Sequence, residues 1–513
     1  MRRDVAVIGA GPVGLTLAML LARHGLRVGL VERSTRPSDR PGAVSLDDES
    51  LRIWQSCGLE GTLRDEWAGG DEGAVVCRYL DDRGRTRLGI RQRQSDLGYP
   101  CAVVTNQRRV TPALWDAVSR EPAVEMHTGR ELESVEPRAE GVRVRHRDAG
   151  GTRGTLDARW LVACDGADSA VRTALGIPMP TRPLPHPWLI AELPDDGTDR
   201  CVRIRCGRHA TSVTAPLPHN LRRVELALDP GDPADWLNDE AEVRTRLIGA
   251  WAPAADKPIL GRAVVRFRAG VADRWRVGRV FLAGDAAHVT PPFAGHGLAT
   301  GLRDAANLAF KLAGACQGWL HEDVLDSYEQ ERRPHQERMI RLAMRLGSLM
   351  LPPSGTLTRF HHTLSWSAAM LPPVRARLEL RGPRVRPTLA NGFLRRGGRS
   401  GHHLPQPWVL AGERRVRLDA LLGPRMTWIA VGAGRSPGRR DRLRLADNDT
   451  LLVEGRDFHD PAGSLQHAFG PFSLLLVRPD RVVHTHIRGD RTPFEKGTLP
   501  WNTSRPPSPV PGS

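Results

Sequence analysis

The chain has 513 residues, enough for about two to four domains at roughly 100–200 residues each, and its 40% apolar content excludes a wholly disordered or fibrous protein. The net charge of +16 raises the question of nucleic acid, but all but three of the 74 basic residues are arginine (the lysines are Lys257, Lys311 and Lys496), a skew of coding composition. The excess is concentrated in residues 341–420, where 14 arginines face only Glu379, Glu413 and Asp419 in a Pro/Gly-broken stretch without a regular basic helix, so no nucleic-acid partner is expected. Seven cysteines (57, 77, 101, 164, 201, 206 and 316) form no C-x-x-C pair. That argues against a disulfide scaffold and a cysteine zinc site, and for a reducing cytoplasm; no metal is expected.

Met1-Arg2-Arg3 followed by an apolar run from Val5 to Ala22 imitates a signal peptide or a short membrane span. Asp4, Gly9, Gly11, Pro12 and Gly14 break the run, and no other apolar stretch approaches the ~18 residues of a spanning helix, so a soluble protein without a membrane partner is expected. The glycines read better as a nucleotide loop. Val5–Ile8 predicts a strand buried on both faces, residues 15–24 predict a helix stopped by Gly25, and Arg27–Val31 predicts the next strand, closed by Glu32. Between strand and helix, Gly9-Ala10-Gly11-Pro12-Val13-Gly14 supplies G-x-G-x-x-G. Gly9 permits the tight turn, Gly11 lets a pyrophosphate approach the backbone, and Gly14 lets helix pack on strand. The helix N-terminus attracts phosphate, and Glu32 stands where a carboxylate accepts from ribose hydroxyls.

Two later segments repeat the strand–turn–helix pattern. Residues 161–172 contain Asp165-Gly166 and run on to Arg172; residues 278–288 end in Gly284-Asp285 and lead through Pro291-Pro292-Phe293-Ala294-Gly295-His296-Gly297 into a helix over about 298–314. Either alone could be an ordinary turn with a capping Asp. In this order the three motifs resemble the FAD-dependent aromatic hydroxylases of the para-hydroxybenzoate hydroxylase type, over residues 4–345. Residues 43–52, 301–312 and 328–334 bring the likeness nearest to 3-(3-hydroxyphenyl)propionate hydroxylase and its relatives.

The resemblance implies an α/β FAD-binding Rossmann-type domain, discontinuous in sequence, with a mixed β-sheet substrate domain and a C-terminal thioredoxin-like α/β domain. It places FAD contacts on Gly9, Gly11, Gly14, Glu32, Arg33, Gln107, Asp165, Gly284, Asp285, Pro292, Gly297, Leu298 and Ala299, with Pro12, Val13, Gly166, Arg172 and Gly295 beside them in the same motifs. It also implies NADH or NADPH as electron donor, O2 as co-substrate, a C4a-hydroperoxyflavin, and a small phenolic substrate. Alternatives on the same fold are a polyketide-tailoring hydroxylase, an epoxidase or a Baeyer-Villiger-type oxygenase; a more distant one is a non-catalytic flavoprotein or a nucleic-acid-associated protein. Gly42 and His296 stand where the family pattern expects arginine and glutamine.

Hydroxylating a phenol requires a base, because a phenol pKa near ~10 prevents spontaneous ionisation. With tyrosines only at 79, 99 and 328, a tyrosine relay is not expected, and His296 is the candidate. His288 reads as structural. Arg172 could meet a donor or flavin phosphate, and Arg303 a phosphate or a carboxylate.

The expected organisation is 1–71, 101–180 and 271–350 for the FAD-binding parts, 72–100 for strands added to the substrate layer, and 181–270 for the substrate-binding sheet. A basic linker over 351–400, a thioredoxin-like domain over 401–499 and a disordered tail over 500–513 complete it. Trp188, Trp236 and Trp251 could line a pocket or pack in the core. No cysteine follows Cys316, so the C-terminal domain is expected to serve structure or oligomerisation, as in a homodimer.

Overall fold

The computed structural model describes residues 2–69, 75–81, 83–206, 211–351, 371–381, 388–395, 397–432 and 450–488. Its central sheet is built from distant pieces of chain. Arg3–Ile8 lies between Val28–Glu32 and Arg153–Ala163, all parallel; Val124–Thr128 and Val280–Leu282 extend the two sides, also parallel. The inner strands are near-continuous apolar runs because helices cover both faces. Helix Pro12–Arg23 packs against helix Gly297–Gln317, so the first and last motifs meet although nearly 290 residues separate them. An antiparallel hairpin, Glu131–Arg138 with Gly141–Arg147, runs off Arg153–Ala163.

A seven-stranded sheet forms the second layer, in the order 261–265, 188–194, 221–227, 211–217, 202–206, 75–80, 86–91. The pairs are antiparallel except 75–80 with 202–206. Side chains alternate across it. Leu189, Ala191, Leu193 and Val224 pack beneath helix Glu240–Ala250 together with Trp236 and Trp251, whereas Trp188, Ile190, Val213 and Leu217 face the nucleotide layer. Of the three tryptophans, only Trp188 therefore borders the space between the layers.

In the C-terminal unit, Thr427–Val431 pairs parallel with Thr450–Val453 and antiparallel with Ser473–Val477, which pairs with Val483–Arg488. Its core holds Leu404, Val409, Leu418, Ile429, Phe458, Leu465 and Leu475. Helix Ser327–Met350 starts directly after the Glu322–Asp326 turn and carries Pro334 within it. The stretch read as linker contains a helix, Pro372–Arg381, because prolines that break a helix interior are accepted in its first turn. The tail over 500–513 lies outside the described residues.

Candidate functional site

The nucleotide loop is held by sterics. A Cβ on Gly9 (φ +100°) would come within 2.5 Å of the Cys164 carbonyl oxygen, and one on Gly14 would collide with the Gly9 carbonyl; a Cβ on Gly11 would meet nothing within 4 Å. The first two glycines therefore let strand, loop and helix interlock, and the third opens the backbone outward. Gly11 also caps the helix in extended conformation without a side-chain bond, leaving the amides and positive end of Pro12–Arg23 available to an anion. At the strand end, the Glu32 carboxylate accepts from Ala10 N (2.7 Å) and Ser34 N (2.8 Å), which fixes its orientation; Arg33 is exposed. This cradle fits a dinucleotide.

The two later turns are clamped to each other. Arg172 donates to Ala167 O (2.8 Å) in the Asp-Gly turn and to Ala286 O (3.0 Å) in the Gly-Asp turn. Arg172 thus does not reach the cavity, and it acts between the motifs. Asp165 accepts from Val171 N (3.1 Å) through Oδ2, while its buried Oδ1 has no hydrogen-bond partner among the described residues; burial pushes this carboxyl above its usual range. Such an atom suits a hydroxyl-bearing ligand. Gly284 (φ +60°) turns the chain against Val13, and Asp304 holds the turn by accepting from Gly284 N (3.2 Å), His288 Nε2 (2.6 Å) and Arg332 Nε (2.9 Å). His288 is buried in that hydrogen-bonded cluster. Arg303 is likewise committed to protein carboxylates, Glu49 at 2.6 Å and Asp47.

Between the two layers lies a cavity of about 1980 Å3. From the nucleotide side it is lined by Gly11, Pro12, Val13, Gln107, Gly166, Asp285, Pro292, Gly295, His296, Gly297 and Leu298; Gly9, Gly14, Gly284 and Ala299 pack behind these. Asp285 lines the cavity, and desolvation by the surrounding chain raises its pKa. His296 is the residue before helix Gly297–Gln317, at that helix's positive end, and its charge acts on Asp47. From the sheet side come Trp188, Ile190, Val213 and Leu217, with Phe293 packed edge-on to Trp188 at 6.1 Å between ring centres.

Three charged residues of the sheet had not been singled out from sequence: Glu192, Arg223 and Glu225. Arg223, 1% exposed, donates to Glu192 (2.6 Å) and to the Gly42 carbonyl; Arg108 joins Glu192 at 2.9 Å. A cation thus reaches the Gly42 loop from the sheet although residue 42 itself carries none. The available signal was Arg222-Arg223-Val224-Glu225, which puts two charges on one face of a strand that is covered on both sides. No group of three or more His, Cys, Asp or Glu among the described residues could hold a metal ion, and no described helix is long and apolar enough to cross a membrane.

Comparison with known proteins agrees with this geometry. Residues 2–343 match a family described as FAD binding domain. The chain is 35% identical over 512 residues, covering 94% of it and 91% of the relative, to 3-(3-hydroxy-phenyl)propionate/3-hydroxycinnamic acid hydroxylase of Escherichia coli O139:H28 (strain E24377A / ETEC). Among solved structures, the flavin-dependent monooxygenase PieE in complex with FAD and substrate superposes with a TM-score of 0.81 at 23% identity, over 95% of this chain and 96% of that one. OxyS anhydrotetracycline hydroxylase from Streptomyces rimosus gives 0.75 at 25% identity, over 95% and 96%.

Proposed function

This chain belongs to the FAD binding domain family of FAD-dependent monooxygenases, and on that premise we propose that it hydroxylates a phenolic aromatic substrate with O2 and NADH or NADPH. The observation that carries the reading is the two-sided cavity. Its volume of about 1980 Å3 is roughly twice the upper end of the ~300–1,000 Å3 usual for one small-molecule ligand, which suits a dinucleotide and a second molecule together. One side is the nucleotide cradle and the other an apolar floor.

FAD bound here would supply the oxygen chemistry, which no side chain can. The chain's own residues do the rest. Gly9, Gly11, Pro12, Val13 and Gly14 with Glu32 and Arg33 would hold the adenosine and pyrophosphate end. Gln107, Asp165, Gly166, Gly284, Asp285, Pro292, Gly295, Gly297, Leu298 and Ala299 would hold the remainder. Trp188, Ile190 and Phe293 would orient the aromatic ring and exclude water from it. The phenol proton must pass to a side chain of this cavity, either His296 on the cofactor side or a group of the sheet.

The relative's name supports a hydroxyphenyl-propanoid acid as substrate. The volume and the OxyS likeness favour a second reading on the same fold, hydroxylation of a larger polycyclic phenol. We read the C-terminal unit as thioredoxin-like in topology; without a cysteine after Cys316 it serves structure, or contact between two copies in the cytoplasm.

The test is oxidation of NADH and NADPH by the FAD-loaded protein with 3-(3-hydroxyphenyl)propionate, a tetracyclic phenol and a ketone, with products identified. Phenol-stimulated oxidation with a hydroxylated product is expected. Oxygen insertion beside the ketone would move the reading to a Baeyer-Villiger reaction. A colourless protein that FAD does not reconstitute would end it.

A further inference from the structure

We propose that Glu225, in the substrate sheet, is the residue that takes the hydroxyl proton of the phenol, and that it thereby selects substrates that turn a hydroxyl, not a carboxylate, toward the sheet. The inference rests on the monooxygenase reading above.

Glu225 lies on strand Leu221–Ala227, third of the seven in the sheet, and lines the cavity. In register it is flanked by Ile190 on one side and Val213 on the other, both lining the same cavity, with Trp188 diagonally adjacent. Its side chain is 13% exposed. The charged groups acting on it are Arg223 on its own strand and Glu192 on the neighbouring one; strand Thr211–Leu217 lines the cavity with the uncharged Val213, Ala215, Pro216 and Leu217. Arg223 stands 3.6 Å away, but its terminal nitrogens are spent on Glu192 and the Gly42 carbonyl. Between Ile190 and Val213 the floor of the cavity therefore presents a carboxylate whose ion-pair partner, Arg223, directs its hydrogen bonds elsewhere. A substrate carboxylate would be repelled there and a hydroxyl donor attracted.

The proton transfer is balanced. The phenol O–H breaks, its proton forms an O–H bond on the Glu225 carboxylate, and the electron pair stays on the phenol oxygen; nothing is oxidised. A carboxylate in water is a poor base for a phenol, but burial raises the proton affinity of Glu225. The phenol meanwhile becomes more acidic as its ring gives up electron density to the incoming oxygen, the situation in which a positioned base contributes most. Other groups on the sheet side fit the task less well. Burial raises Cys77 and Tyr79 far above neutrality, so they stay protonated and cannot take up the phenol's proton. His296 lies on the opposite, cofactor side of the cavity, beside Asp47, and is the alternative acceptor that the test separates from Glu225.

4-Nitrophenol, whose anion is yellow, serves as the probe. It is titrated with pH while bound to the FAD-loaded protein, using wild type, Glu225→Gln, Glu225→Asp and His296→Gln; flavin content and melting temperature check folding. A carboxylate acceptor holds the bound phenol neutral, so its ionisation midpoint should lie above that of free 4-nitrophenol. The midpoint should fall by about one pH unit or more in Glu225→Gln and by less in Glu225→Asp. Hydroxylation of 3-(3-hydroxyphenyl)propionate should drop about 10²-fold or more in Glu225→Gln, with loss of the acid limb of its pH profile. An unchanged midpoint in Glu225→Gln, a midpoint that moves with His296 instead, or failure of wild type to bind the probe overturns the proposal. The midpoint is read without turnover, so the two readings fail separately. A shifted midpoint with no phenol hydroxylated counts against the monooxygenase reading, and hydroxylation with an unshifted midpoint counts against Glu225.

Discussion

Replacing Gly42 by alanine tests the most crowded contact at the cavity wall. A Cβ there would lie 2.6 Å from Gln107 Nε2 and nearer still to other atoms of the same amide. The backbone at 42 is not the obstacle; the Gln107 side chain is. It can swing away only by giving up the hydrogen bond in which Gln107 Oε1 accepts from Ala43 N at 2.7 Å. An ordinary bond is worth about 0.5–1.5 kcal/mol, and stranding a donor costs up to ~3 kcal/mol. Ala43 is half-buried, which puts Gly42→Ala at about 1–2 kcal/mol. Gln107→Ala loses the same bond, so the double variant should cost little more than either single one, a departure from additivity of about 1 kcal/mol. Urea unfolding of the three variants gives the cycle, and flavin fluorescence gives FAD retention alongside. Additive losses, or a Gly42→Ala protein as stable as wild type, would refute the packing argument. Gly42→Arg, which restores the family residue, should behave no better than alanine, because its Cβ meets the same amide.

Gly14→Ala should lower FAD affinity at least about tenfold by equilibrium dialysis, since its Cβ meets the Gly9 carbonyl and the helix must back away from the loop. Glu331→Gln should destabilise the protein by about 3–5 kcal/mol in urea, because Glu331 is the shared counterion of buried Lys311 and Arg478, both at 2.9 Å. The surrounding cations hold Glu331 down to about 2, below its ordinary 4.5. Its contribution is therefore present above pH 4.5 and lost as pH falls toward 2, and acid unfolding of Glu331→Gln should lack that component. Burial holds Lys311 down to about 8 against 10.5 when exposed, so the unfolded chain binds the extra proton between those values. Stability should rise with pH across that window, and Lys311→Met should abolish the rise.

The nucleotide half was legible because its constraints are local. Glycines that must stand at Gly9 and Gly14, a buried strand before them and a carboxylate after them all fall within residues 3–32; the Gly9 carbonyl that forces Gly14 lies in the same stretch, and the structure adds Cys164, the partner that makes Gly9 necessary. The two later motifs were legible in the same way. Their mutual attachment was not, since Arg172 looks like any arginine of a chain crowded with them until Ala286 O is found 3.0 Å away. The substrate side was least visible. Its meaning lies in which face of a strand meets the cavity, and Glu225 becomes notable only once Ile190 and Val213 are beside it.

The C-terminal unit shows why such long-range charge pairs matter to the site. Arg52 grips Asp419 through two bonds (2.8 and 2.6 Å) and reaches Leu404 O, and Arg478 inserts against Glu331 on the helix Ser327–Met350. These partners are 367 and 147 residues apart, beyond any periodicity. Buried pairs of this kind add little net stability, because desolvation offsets attraction, but they tolerate few alternative arrangements. Asn307 ties the same Glu331 to helix Gly297–Gln317, whose first residues border the cavity. Through Glu331, Arg478 of the C-terminal unit is thus joined to the helix that presents Gly297 and Leu298 to the cofactor side.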